Sequence, residues 1–166
     1  MKNRKVAITG GAGFIGANLA KELAANNSVI IIDNLSVGKK ENLTDLLGEN
    51  VEFVEGSIVD LSLLKKVFRN VDCVFHQAAI SSVSKSIENP LATNETNVTG
   101  ILNVLLAARE NNLKKVIYAS SAAVYGDTPT LPQREEMMPN PQSPYAITKL
   151  IGEYYCQVFQ AVYFNR

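Results

Sequence analysis

The chain has 166 residues, 46% of them apolar and 19% charged, which is long enough to bury one sizeable core and short for two. Its 16 basic and 16 acidic residues cancel, and no basic run stands out, so the charge pattern offers no footprint for nucleic acid or an anionic membrane. A single domain over residues 1–166 with a small-molecule partner is the expectation.

In chain order, strand-like apolar runs alternate with helix-length amphipathic segments, the pattern of an α/β protein with a parallel sheet covered by helices on both faces. Residues 1–5 and the apolar run after them have the outline of a secretory signal. Gly10, Gly11, Gly13 and Gly16 interrupt that run, and no stretch reaches the roughly 18 uninterrupted apolar residues of a membrane span. The first strand is expected at Lys5–Thr9, a helix at 14–26, the second strand at 28–32 and the third at Val51–Glu55. A helix at 61–68 follows, with Asp60 as its N-cap, then a strand at Cys73–His76, a helix at 93–110 and a strand at 115–119. Residues 128–144 carry five prolines and read as a long loop before a helix at 144–160. Right-handed crossovers then give a doubly wound, Rossmann-type sheet with a switch point in strand order, and a ligand cleft at the carboxyl ends of its strands. Cys73 and Cys156 lack metal spacing and sit in apolar segments, so buried reduced thiols of a cytoplasmic protein are expected, and no metal site.

The segment Thr9-Gly10-Gly11-Ala12-Gly13-Phe14-Ile15-Gly16 follows the first strand directly and opens the first helix. In that context the missing Cβ atoms let the chain turn tightly and let the backbone approach a pyrophosphate at the positive end of the helix dipole. Asp33 closes the second strand 17 residues after Gly16, where a carboxylate accepts hydrogen bonds from adenosine ribose hydroxyls and repels a 2′-phosphate. NAD is therefore favoured, with Lys39 and Lys40 keeping NADP as the minor alternative.

Tyr145 and Lys149 are four residues apart in the last predicted helix, so both side chains share one face. An ammonium beside a phenol favours the phenolate, allowing a base to act below the usual tyrosine value of about 10. Ser120 and Ser121 follow the fifth strand, where a hydroxyl can donate to a substrate oxygen as charge builds on it. For Ser120 the expectation is a partner on the backbone at the strand end. His76, the lone histidine, ends an apolar strand and reads as a structural residue rather than a catalyst.

The segments at 9–16, Asp-Asn-Leu-Ser-Val-Gly at 33–38, His-Gln-Ala-Ala at 76–79, Ser-Ser-Ala-Ala-Val-Tyr-Gly at 120–126 and Tyr-Ala-Ile-Thr-Lys at 145–149 together resemble the extended short-chain dehydrogenase/reductases. Among these, the chain is most similar to the UDP-glucose and UDP-N-acetylglucosamine 4-epimerases. The resemblance implies that Tyr145 is the base, that Lys149 grips the nicotinamide ribose and tunes Tyr145, and that Ser121 hydrogen-bonds the sugar O4. It implies Gly10, Gly13, Phe14, Ile15 and Gly16 around the pyrophosphate, and Asp33, Asn34, Ser36 and Gly38 on the adenosine ribose side. Ser57 and Ile58 would lie near the adenine, with Ser57 where the family usually has an aspartate. Ala78, Ala79 and Asn97 would line the cofactor, and Asn165 would contact substrate.

Related dehydratases and decarboxylases place an acidic residue just before Val-Tyr-Gly to take a proton from C5 of the sugar; Ala122 and Ala123 stand there instead. The resemblance thus implies NAD-dependent inversion at C4 of a UDP-hexose through a 4-keto sugar, in a homodimer built on the two long helices. The alternatives are a nucleotide-sugar dehydrogenase or reductase on the same scaffold, and a non-catalytic NAD-binding domain. The family continues into a substrate-binding lobe after the Tyr-Lys helix. Residues 161–165 resemble a strand end found later in the family, so a truncated or internally shortened chain is expected.

Overall fold

Val, Ile and Phe dominate five short runs that cannot be satisfied singly and that pair side by side. The computed structural model describes residues 1–164 and contains β1 (Lys5–Thr9), β2 (Ser28–Asp33), β3 (Val51–Glu55), β4 (Cys73–His76) and β5 (Lys115–Tyr118). All are parallel, in the order β3-β2-β1-β4-β5. Val6, Ile8, Val29 and Ile31 pack on one face with Ala17 and Ala20 of the helix α1 (Phe14–Ala24). The intervening Ala7, Ile30 and Ile32 are buried too, so β1 and β2 are covered on both faces, as a doubly wound sheet requires.

β1 pairs with β2 on one side and β4 on the other. The chain therefore reverses its direction of travel across the sheet between β1 and β4, and the turns after Thr9 and His76 flank that switch point.

Helix boundaries follow local capping. Asn27 donates its side-chain amide to the Leu23 carbonyl at 2.8 Å, which ends α1 at Ala24, two residues before the expected limit. Asp60 accepts from the Leu63 amide at 2.9 Å and starts α2 (Leu61–Val67) as expected. A helix that the hydrophobic pattern did not announce, α3 (Val83–Glu88), is capped by Ser82, and Asn89 with Pro90 opens α4 (Pro90–Asn94) earlier than the expected residue 93. A π-helical turn (Glu95–Thr99) joins α4 to α5 (Gly100–Glu110). Ser143 accepts from the Ala146 amide and starts α6 (Pro144–Phe159), preceded by a stretch from residue 126 without regular structure. Residues Gln160–Phe164 continue α6 as a π-helical turn rather than forming the strand end that their sequence suggested.

Two compact units can be distinguished: residues 1–78 with 103–119, which hold the sheet, α1 and α2, and residues 79–102 with 120–166, which hold α3, α4 and α6. Among the described residues no helix is long and apolar enough to cross a membrane.

Candidate active site

In the first unit, the turn after β1 is built from backbone approaching backbone. Gly10 has φ +71°, and a Cβ there would lie 2.6 Å from the Ala78 amide nitrogen. At Gly16, in the first turn of α1, a Cβ would lie 2.3 Å from the Gly10 carbonyl oxygen. Helix and turn thus close to a distance that no side chain permits. Gly13 is the extended N-cap of α1 and supplies no side-chain cap, whereas α2, α3, α4 and α6 all have one. Phe14 and Ile15 beyond it are 82% and 65% exposed. The start of α1 therefore keeps its amides and the positive end of its dipole for an anion, the requirement of a pyrophosphate.

Asp33 is buried at the end of β2, and its carboxylate organises the turn. Oδ2 accepts from the Ala12 amide at 3.0 Å and Oδ1 from the Leu35 amide at 2.8 Å. Each oxygen retains a second lone pair with which to accept from a ribose hydroxyl. The Ala12 carbonyl accepts from the Lys39 amide and from the Asn42 side chain at 2.8 Å, so the loop after β2 is tied to the glycine turn. Gly38 lies inside this knot, where a Cβ would come within 2.9 Å of Ala12 and of the Asp33 carboxylate. Asn34 and Ser36 are exposed, the Asn34 side chain accepting from the Ser36 amide. Lys40 sits over the Phe53 ring at 5.7 Å.

Further round this unit, Ser57 accepts from the Val59 amide after β3, and the Ile58 and Val59 carbonyls accept from the buried Asn103. Ala78 follows β4 and flanks Gly10. His76 is buried, shares a 2.6 Å hydrogen bond with Thr9 Oγ1 and stacks on Tyr118, in keeping with a structural role.

The second unit contains Ser121, Tyr145 and Lys149. Tyr145 and Lys149 stand one turn apart on α6, and both are buried. Burial pushes the Lys149 ammonium from its ordinary value of 10.5 down to about 8. Ser121 caps a 3₁₀ turn (Ala122–Tyr125) that packs on α6. Its Oγ accepts from the Ala123 amide at 3.2 Å, which uses a lone pair and leaves the O–H to donate.

Several residues that position this set carry no local signal. Ser86 of α3 accepts from the Tyr145 amide at 3.1 Å and donates to the Val83 carbonyl. Asn97 accepts from the Ile80 amide, donates to the Ile80 carbonyl, and donates to Thr148, whose hydroxyl donates to the Tyr145 carbonyl at 2.7 Å. Asn97 thus fixes the segment after Ala79 against the helix that carries the tyrosine.

Two expectations need correction. Ser120 donates to the Glu153 carboxylate rather than bonding the backbone, because the exposed hydroxyl lies against α6. Cys73 is buried, but Cys156 is only half-buried; both are free thiols. Asn165 lies outside the described residues. Among the described residues no cluster of His, Cys, Asp or Glu is suited to a metal ion.

A parallel sheet in this strand order, opened by a glycine turn into a helix at its switch point, defines a Rossmann-type dinucleotide-binding fold. The NAD dependent epimerase/dehydratase family matches residues 6–165, and the chain belongs to that family. It is 41% identical over 161 residues to a putative UDP-glucose 4-epimerase of Methanocaldococcus jannaschii, covering 95% of this chain and 52% of the relative. Among solved structures it is similar to the UDP-N-acetylglucosamine 4-epimerase of Methanobrevibacter ruminantium in complex with UDP-N-acetylmuramic acid, with TM-score 0.94, 42% identity and coverage of 99% of this chain and 53% of that one. It is also similar to the UDP-glucose 4-epimerase of Brucella ovis in complex with NAD, with TM-score 0.90, 36% identity and coverage of 98% and 50%. The chain spans about half the length of the curated relatives it matches.

Proposed function

We propose that this protein binds NAD and inverts the configuration at C4 of a UDP-hexose, either the glucose/galactose pair or its N-acetylated counterpart. The observation that carries this reading is the buried Tyr145–Lys149 pair one turn apart on α6, in the same unit as a serine whose hydroxyl proton is available. The glycine turn fits a dinucleotide, since a Cβ at Gly10 or Gly16 would close the cradle. Gly10, Gly13, Phe14, Ile15 and Gly16 would hold the pyrophosphate, and Asp33, Asn34, Ser36 and Gly38 the adenosine ribose. Ser57 and Ile58 would meet the adenine; Ala78, Ala79 and Asn97 would line the remainder. Bound NAD⁺ supplies a reversible acceptor for the C4 hydride.

In the proposed reaction, Tyr145 takes the O4 proton and returns it after the 4-keto sugar has turned over in its pocket. Lys149 stands one turn from Tyr145 on α6, and its ammonium would grip the nicotinamide ribose. The Ser121 hydroxyl donates to O4 as negative charge develops there. No net oxidation occurs, because the hydride that leaves C4 comes back to its other face.

Ala122 and Ala123 have no group able to take a proton from C5, which weighs against elimination chemistry. A dehydrogenase or reductase of the same family would instead accumulate reduced or oxidised cofactor, and a non-catalytic domain would bind NAD without turnover. Of the two long helices expected to build a homodimer, α5 buries Ile101, Val104 and Leu105 within the chain, while α6 leaves Ile147, Tyr154 and Val158 exposed; the α6 residues are what supports a homodimer. Sedimentation that is independent of concentration at monomer mass would contradict the dimer. We also assign the protein to the cytoplasm, where its two free thiols stay reduced.

The test of the activity is direct. The NAD-loaded protein is incubated with UDP-galactose and, separately, with UDP-N-acetylgalactosamine. Appearance of the C4 epimer without accumulation of NADH supports the assignment, and absence of inversion with both sugars overturns it.

A further inference from the structure

Tyr145, Lys149 and Glu153 follow one another at four-residue steps along α6, which puts all three on the same helical face. The first two carry the proposed chemistry, and the third is not used by it. Ser120 donates from its Oγ to the Glu153 Oε1, across 33 positions of sequence. An ionised acceptor makes this bond stronger than one between two neutral groups. Its serine end is the residue immediately before Ser121.

Ser121 has φ −153° and ψ 144°, extended backbone, and begins the 3₁₀ turn Ala122–Tyr125. Its own Oγ accepts from the Ala123 amide at 3.2 Å. The peptide linking Ser120 to Ser121 is planar, so anchoring the Ser120 side chain on α6 restrains the backbone from which the Ser121 hydroxyl projects. One helix then carries the base, the lysine and the anchor for the serine donor.

We propose that Glu153 is a positioning residue for Ser121: by accepting a hydrogen bond from the Ser120 hydroxyl, it fixes the Ser121 turn against the helix of Tyr145 and Lys149. This rests on the role given above to Ser121. Glu153 itself touches neither sugar nor cofactor in this account. The charge also reaches Cys156, three residues on, whose thiol burial and the Glu153 carboxylate together push up to about 11.

The test uses Glu153→Ala, Glu153→Gln, Ser120→Ala and the double variant Ser120→Ala/Glu153→Ala in the full chain, with two readouts. The first is hydrogen exchange of the Ala123 amide by NMR, which needs no turnover. It should quicken by about tenfold in either alanine variant, and by no more in the double variant, because the two side chains act through one bond. Glu153→Gln keeps an oxygen acceptor and should recover most of the protection. The second readout is epimerisation, where kcat should fall by about tenfold in the alanine variants while NAD affinity holds.

Unchanged Ala123 exchange in Glu153→Ala, or effects of the two single variants that simply add, would overturn the positioning role. Parent protein that binds NAD but converts neither sugar would overturn the proposed reaction instead. The exchange measurement would still decide on Glu153.

Discussion

Lys149 combines burial with a charge that the proposed reaction needs, and the consequence is a dependence on pH. Its ammonium value falls from 10.5 to about 8 because burial penalises the charged form. Below about pH 8 folded and unfolded chains both carry the proton, and the folded chain bears the full cost of a buried charge. Between about 8 and 10.5 the unfolded chain holds the proton and the folded chain does not, so this group adds stability as pH rises through that window. An NMR titration of the Lys149 side chain should give a midpoint near 8; a midpoint at the ordinary 10.5 would show that the group is solvated. Tyr145→Phe removes only the ionisable oxygen from a buried ring. Turnover should drop by at least about a thousandfold with NAD affinity kept, as expected when the reacting acid/base group itself is lost. Retained turnover would assign the base elsewhere.

Residues at this scale were legible in proportion to how local their partners are. Asp60 and the Leu63 amide lie within one helical turn, so the N-cap could be read directly. Asp33 could be placed because a strand end fixes it. Ser86 reaches the Tyr145 amide across 59 positions, and Asn97 reaches Thr148 across 51, separations for which one sequence holds no pattern. Ser120 was misread for the same reason.

Among the elements, the strands were the most legible, because each carries a short apolar pattern. It is an unbroken run in β1 and β2, where both faces are buried, and an alternation with glutamates in β3 at the sheet edge. All five lie within a residue of their expected limits. The short helix α3 escaped because six residues are too few to show a helical period, although Ser82 stood ready as its cap. The start of α4 was readable in Asn89-Pro90, a cap followed by a proline at the first helical position, but the apolar pattern begins only later. The glycine turn is the element most open to challenge. Gly16→Ala puts a methyl 2.3 Å from the Gly10 carbonyl, and backbone must move to accept it. NAD affinity measured by calorimetry should fall by at least about tenfold, with melting lowered by a few degrees, the usual result of overpacking. Gly48, which has open space around it, is the control position where the same change should leave affinity intact. Equal affinity in parent and Gly16→Ala would remove this turn from the binding site.

For the molecule as a whole, the sheet order and the family were both within reach of the sequence: five motifs in fixed order leave few alternatives, and right-handed crossovers restrict the topology. The division into two compact units was not, since it depends on which helices pack together rather than on any composition change along the chain. The units divide the proposed labour, with the dinucleotide cradle in the first and the serine, tyrosine and lysine in the second.

The central claim is that hydrogen leaves C4 as hydride and returns to the same carbon, so it never exchanges with solvent. NAD-loaded protein in D₂O, given UDP-galactose or UDP-N-acetylgalactosamine, tests it through NMR of the product C4 position. The account predicts the C4 epimer with protium at C4. Deuterium at that carbon, or no epimer from either sugar, would contradict it.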